Sequence, residues 1–366
     1  MTRAYLDHAS TTPLRPAARD AMIDAIDRFG DPGRLHQEGR AARVALENAR
    51  EQVAAFFGAR PREVVFTSSG TEAINTALWA ATGHVVSTAV EHSSVRDALA
   101  RTGAEVSVVG VDPTGRFDQT DVLDAVRTDT SRVSVQLANH EVGTVQNIDK
   151  LFDATRASSA VLHVDACAAA GHLPVAFAYD LCSVSAHKFG GPPGAGALLV
   201  RRGLRIPPLL LGGAQERARR AGLENLPAWI GFGAACEATD VGVEAAQQQA
   251  LIDAAATVVD TVPGVTRYGS RPGNGVSLPN LLCIGVDGVE AEPILLALDQ
   301  HGVAAHSGSS CSSETLEPSP VLQAMGVEAD HSLRISVGWS STAADVQRFV
   351  EVFPGIVERL RGLRNA

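Results

Sequence analysis

The chain lacks several features that would mark a protein class at once. It has no excess of positive charge: 31 lysines and arginines stand against 41 acidic residues, a net charge of −10. With no basic stripe either, a nucleic-acid binder is excluded. No run is long and apolar enough to span a bilayer, and the start, MTRAYLDHAS, has no apolar secretion-signal core, so no membrane partner is expected. The five cysteines, at 167, 182, 236, 283 and 311, are odd in number and form no CxxC pair. Neither a disulfide framework nor a metal site is expected, and the natural setting is a reducing cytoplasm. Repeats and low-complexity segments are also missing.

What is present is an ordinary globular make-up, 45% apolar and 20% charged, over 366 residues, too long for one small core. Apolar residues at Ala18, Met22, Ile26 and Phe29 recur at helical spacing and predict a helix over 17–29, broken by Gly30-Asp31-Pro32-Gly33. A second helix is expected over 41–57. Strands then alternate with helices: apolar runs at 64–66, 85–86, 106–109, 131–137 and 161–164, and helical stretches at 72–80, 94–101 and 150–158. Such alternation predicts an α/β fold with a mostly parallel sheet, whose ligands gather beyond the carboxyl ends of the strands. After about residue 240 the pattern changes to a helix at 243–259, a strand at 281–286, a helix at 291–301, a strand at 333–337 and a last helix from 343. We expect a large domain over 16–240. A smaller α+β domain would combine 1–15 with 241–366 and carry the Cys311 loop.

Six stretches carry candidate chemistry. In Ser183-Val184-Ser185-Ala186-His187-Lys188-Phe189-Gly190-Gly191, a lone lysine lies between a buried strand and a Gly-rich turn. It is either an amine held to form a Schiff base or a solvated lysine beside a turn. Thr67-Ser68-Ser69-Gly70-Thr71-Glu72 joins a strand to a helix and is either an anion cradle or an N-cap with an acid in the first turn. Asp165 closes the strand His163-Val164-Asp165 and could pair with a protonated pyridine nitrogen or cap a turn. His92, in Glu91-His92-Ser93, could stack on a flat ring, relay a proton or be a polar junction residue. Cys311 sits among small residues in Ser307-Gly308-Ser309-Ser310-Cys311, unlike Cys182 and Cys283 in apolar runs, and is either a thiolate nucleophile or an exposed, inert cysteine in a linker, the first being favoured because exposed free cysteines are rare unless used. Arg334, inside the apolar strand Leu333-Arg334-Ile335, needs a carboxylate partner, from a substrate or from the protein.

Taken in order, with Glu141-Val142-Gly143, Gln215-Glu216-Arg217 and Glu317-Pro318-Ser319, these pieces resemble class-V aminotransferases of pyridoxal phosphate fold type I, and within them the NifS-type cysteine desulfurases. The resemblance implies a large domain with a mostly parallel seven-stranded sheet and pyridoxal 5'-phosphate as cofactor. By the same resemblance Lys188 bonds the cofactor covalently, Gly70, Thr71, Ser185 and His187 hold its phosphate, His92 stacks on its ring, and Asp165 pairs with the ring nitrogen. Arg334 would clamp the carboxylate of L-cysteine, and Cys311 would take the sulfur as a persulfide while alanine leaves. A homodimer is implied, as is an acceptor protein, an iron–sulfur scaffold or a sulfur carrier.

Several positions depart from the family pattern. Ala168 stands where a glutamine is usual near the cofactor's phenolic oxygen, and His140 replaces the second asparagine of a pair that contacts cofactor and substrate. Leu223 replaces a threonine that reaches the neighbouring subunit's phosphate, and Asp31 an asparagine near the substrate carboxylate. An acid there repels a carboxylate unless paired or protonated. These changes keep two alternatives open: a lyase that cleaves a C–S or C–Se bond in a modified cysteine or in selenocysteine, and a non-catalytic scaffold paralogue.

Overall fold

The computed structural model describes residues 3–270, 276–307 and 318–364. Among them the strands are β1 (Ala4–Tyr5), β2 (Val64–Thr67), β3 (His84–Thr88), β4 (Glu105–Val109), β5 (Thr130–Gln136), β6 (Val161–Asp165), β7 (Leu181–Ser185), β8 (Gly196–Val200), β9 (Val265–Tyr268), β10 (Leu281–Val286), β11 (Val303–Ala304) and β12 (Ser332–Ser336). Seven of them form one sheet in the order β2-β8-β7-β6-β5-β3-β4. β8 runs antiparallel to both neighbours, and the other pairings are parallel, so β8 alone is reversed. The strands β2, β7 and β8 are continuously apolar or small because both sheet faces are covered, and the buried His84 of β3 and His163 of β6 are hydrogen-bonded to serine and threonine hydroxyls. Along β2, Val64 and Phe66 enter the core under the helices Gln37–Phe56 and Leu226–Glu237, while Val65 enters the core on the opposite face with Ile74, Leu78 and Val85.

A second body of packing gathers Ala4 and Leu6 with Ile252, Ile284, Leu298, Leu333, Phe349 and Phe353. There β12, β10 and β9 form an antiparallel sheet, and β1 pairs in parallel with β11. The first strand therefore packs with the last third of the chain and carries the turn at Ala9 and Ser10 to the edge of the large sheet.

Two local features differ from the periodicity reading. The first helix is Pro16–Ile26 rather than 17–29, and Ile23, Ile26 and Phe29 are exposed; no core lies on that side to draw the last turn onward. Leu226–Glu237 is a helix apolar on nearly every side, buried against two others, and so has no amphipathic stripe to reveal it.

The Gln215-Glu216-Arg217 motif is an anchor. Glu216, almost fully buried, accepts from Arg50 Nη1 and Nη2 at 2.7 and 2.6 Å and from the amide of Phe66 at 2.8 Å. Glu216, Arg217 and Ala218 all hold positive φ (47°, 58° and 60°), a left-handed turn that non-glycine residues keep only when their surroundings impose it. Removing one partner of such a buried pair strands the other's charge, at a cost of about 3–5 kcal/mol.

Candidate active site

The carboxyl ends of β2, β3, β5, β6 and β7 open onto one cavity of about 420 Å³. Its walls include Ser69, Gly70 and Thr71 after β2, His92 after β3, Gln136 on β5, Asp165 on β6, and Ser185, His187 and Lys188 at and after β7. Ala9, Ser10, His306 and Arg334 close it from the second body.

At the helix Gly70–Leu78 the cap reading of the motif is observed, and it leaves the helix start open to an anion. Ser69 Oγ accepts from Glu72 N at 3.1 Å, and Glu72 reaches back to the amide of Ser68 at 2.8 Å, a reciprocal cap. The capping leaves the Gly70 and Thr71 amides at the open helix end, where partial positive charge favours an anion. A Cβ on Gly70 would lie 2.5 Å from Cys167 Sγ, so only glycine lets this helix start sit against the turn after β6.

Lys188 Nζ donates to the carbonyls of Ala9 (2.7 Å) and Ser10 (2.9 Å), and its own carbonyl accepts from Thr12 Oγ1 at 2.7 Å. It is one of only two lysines in the chain, the other being the exposed Lys150. Arginine would serve every purely electrostatic purpose, but only an amine can form a Schiff base. Burial, with Lys188 beside it, pushes the His187 imidazole down to about 4, so it is neutral. Asp165 is buried, accepts from the amide of Cys167 at 2.9 Å, and has no salt-bridge partner among the described residues. His92 accepts from Ser94 N at 3.1 Å as the N-cap of Ser93–Thr102 and still faces the cavity, edge-on to His140 with ring centroids 5.0 Å apart. Burial, reinforced by the neighbouring His92, Arg334 and Lys188, holds His140 neutral, well below the usual imidazole range. Burial also pushes the Glu141 carboxyl up to about 7, against a hydrogen bond from Ser319, and Glu91 up to about 8.

Arg334 Nη2 pairs with Asp7 at 2.9 Å, Nη1 donates to the His140 carbonyl at 3.0 Å, and Nε is buried without a partner. The structural ion pair therefore exists and leaves donor capacity toward the cavity. Asp31 is not brought to this site: it pairs with Arg34 at 3.0 Å, accepts from Gly33 N, and lines a separate cleft with Arg50 and Glu216. Cys311 lies outside the described residues. Cys182 and Cys283 are buried, and burial pushes both thiols up. Ser69, Ser94 and His306 lay within or beside the motifs but were given no role, and Gln136 was missed altogether. Gln136 had a readable signal, since it ends an apolar strand as Asp165 does.

These residues suit pyridoxal phosphate. Ser185 Oγ, buried and unpartnered, adds a donor to the helix-start amides for a phosphate. Asp165 offers a buried carboxylate to a cationic ring nitrogen, His92 an imidazole face, and Lys188 the amine for the aldehyde.

The class-V aminotransferase family profile matches residues 4–349. The cysteine desulfurase IscS of Methanosarcina thermophila is 36% identical over 379 residues, covering 98% of this chain and 93% of that protein. A solved NifS-like protein superposes with a TM-score of 0.89 at 29% identity, over 98% of this chain and all (100%) of that one. A structure described as SspA in complex with cysteine gives a TM-score of 0.80 at 27% identity, over 93% of this chain and 100% of that one. With a family match across nearly the whole chain and the same scaffold in its relatives, the chain belongs to the class-V aminotransferases, pyridoxal phosphate-dependent enzymes of fold type I.

Proposed function

We propose that the protein removes sulfur from L-cysteine, giving L-alanine and a persulfide on Cys311. The single observation that carries this reading is the convergence of Lys188, Asp165, His92 and Arg334 on one cavity in a chain whose relatives are named cysteine desulfurases. The cofactor, when bound, supplies an electron sink for the pair left on the substrate's α-carbon.

The chain's own residues do the rest. The Gly70 and Thr71 amides and the Ser185 hydroxyl hold the phosphate, with His187 as a neutral neighbour. Asp165 keeps a positive charge on the ring nitrogen, which strengthens the sink. Arg334, braced by Asp7, binds the substrate carboxylate and so aims the α-hydrogen at Lys188, whose free amine takes that proton. Cys311, as thiolate, attacks the substrate sulfur: the C–S bond breaks, an S–S bond forms, and the carbon fragment takes one proton at Cβ, regains the α-proton held by Lys188 and leaves as alanine. Ser307 lines the cavity and precedes Cys311 by four residues, a tether of at most about 14 Å. The persulfide then passes to an acceptor, which we propose to be an iron–sulfur scaffold or a sulfur carrier protein.

Incubation with L-cysteine and a reductant should yield alanine and sulfide in equal amounts. Cys311→Ala should lower that rate by at least about a hundredfold, and the Cys311 peptide of the parent protein should gain one sulfur atom by mass spectrometry. A rate untouched by Cys311→Ala would instead favour the C–S or C–Se lyase, a reading supported by His140 and Ala168 at the cavity wall.

We also propose a homodimer. The exposed large apolar side chains of Ile23, Ile26, Phe29, Leu35, Leu211 and Leu223 are the ones a partner copy would cover. Light scattering should give twice the 38.2 kDa chain mass; a monomer at micromolar concentration would refute it.

A further inference from the structure

Gln136 ends β5 directly opposite Asp165 in the register of β5 and β6, lines the same cavity and is 2% exposed. Its backbone amide donates to Glu91 Oε1 at 3.0 Å, which fixes the main chain. The orientation of its side-chain amide follows from its neighbour. Asn139 Oδ1 accepts from two backbone amides, Glu141 N at 2.8 Å and Val142 N at 2.9 Å, so Asn139 must present its NH2 group on the other side. That NH2 donates to the carbonyl of Val90 at 3.1 Å and to Gln136 Oε1 at 3.5 Å. The Gln136 carbonyl oxygen therefore faces Asn139, and its NH2 group is turned away. Gln136 Nε2 is buried and has no partner. A buried amide with both N–H groups unmade is a standing cost in stability, and an apolar residue of similar shape would avoid it.

The cofactor's polar groups show what such a donor is for. The aldehyde carbon goes to Lys188, the ring nitrogen to Asp165, and the phosphate to the helix start at Gly70. The remaining polar group is the ionisable ring oxygen beside the aldehyde carbon. Ala168, on the same wall, offers it only a methyl group.

We propose that Gln136 is a cofactor-ring donor: its side-chain amide would hydrogen-bond the ionisable ring oxygen of pyridoxal phosphate while Asp165 serves the ring nitrogen. This rests on the cofactor assignment and adds a residue that the family motifs did not mark. A donor on that oxygen stabilises the form carrying more negative charge there, the form left after proton loss. Its removal must then raise the pH at which the visible band of the bound cofactor titrates. The charged or titratable groups around the cavity are Asp165, Cys167, His92, His140, His187, Lys188, His306 and Arg334, with Glu91 against the Gln136 main chain, all unchanged in the variants below.

The test uses the holoprotein, with Gln136→Met and Gln136→Glu as variants, and reads the pH titration of the visible band and the dissociation constant of added pyridoxal phosphate. Gln136→Met should raise the titration midpoint by about one pH unit and weaken cofactor retention roughly tenfold. Gln136→Glu keeps the shape but puts an acceptor against the oxygen, so its midpoint should rise further. Circular dichroism of both variants checks that they fold, and the near-isosteric glutamate keeps the test alive if the methionine variant does not. Midpoints and affinities equal to the parent's in a folded variant overturn the proposal alone. A parent protein with no visible band and no borohydride-fixed adduct on Lys188 would overturn the cofactor assignment beneath it, a separate result.

Discussion

Lys188→Ala is expected to abolish turnover of L-cysteine, lowering kcat by at least ~10³-fold, because one amine has two jobs. It is the covalent attachment point for the cofactor and the base that takes the α-proton, and positioned base catalysis alone accounts for roughly 10²–10⁴-fold. Lys188→Arg should fail as completely: a guanidinium keeps the charge but neither forms a Schiff base nor gives up its proton near neutral pH. Borohydride reduction of the parent holoprotein should fix the cofactor on the peptide holding Lys188 and leave the exposed Lys150 unlabelled. A small primary amine added to Lys188→Ala should restore part of the rate, since the cavity is large enough to admit a base in place of the lost side chain. Turnover in Lys188→Ala above a tenth of the parent's would refute the assigned chemistry. So would label appearing on Lys150 instead.

Much of the arrangement around that lysine was legible because it sits on strand ends. The runs at 64–66, 131–137 and 161–164 are apolar enough to be strands, and a mostly parallel sheet must deliver its polar residues at the carboxyl edge. Thr67, Asp165, Ser185 and Lys188 stand where an apolar run stops, which is why a motif reading found them. Gln136 stands in the same relation to β5 and escaped notice because a carboxamide has no charge and Leu137 continues the apolar run. His140 and Arg334 come from segments nearly two hundred residues apart, and their contact through the His140 carbonyl is a tertiary fact that no local pattern encodes. Asp31 shows the opposite limit. Its neighbours in sequence satisfy it locally, Arg34 by charge and Gly33 by its amide, and the segment lies against a different cleft. The buried helix Leu226–Glu237 was invisible for a related reason: periodicity reports contrast between two faces, and this helix has almost none.

Asp165→Asn should move activity and stability in opposite directions, and that divergence separates a working carboxylate from a turn cap. In the cofactor-free protein Asp165 is a buried carboxylate with no cationic partner among the described residues, a costly arrangement unless a ligand brings the charge. Asparagine is nearly isosteric, and its carbonyl can still accept from the Cys167 amide, so the turn after β6 keeps its hydrogen bond. Neutralising the side chain should therefore stabilise the cofactor-free protein, by about 1–2 kcal/mol and a rise of a few degrees in Tm. The same change removes the negative charge that holds a proton on the ring nitrogen and so weakens the electron sink. Turnover should fall by about 10²–10³-fold, the usual cost of deleting one preorganised electrostatic partner of a reacting group. Cofactor should still attach through Lys188 but dissociate more readily, giving a smaller rise in Tm on adding pyridoxal phosphate than the parent shows. If both Tm and turnover drop together, Asp165 is chiefly a structural cap. A higher Tm with lost activity means instead that the strain of an unpaired buried charge is kept because the ring nitrogen needs it, the trade expected where a fold holds a charge in place for chemistry.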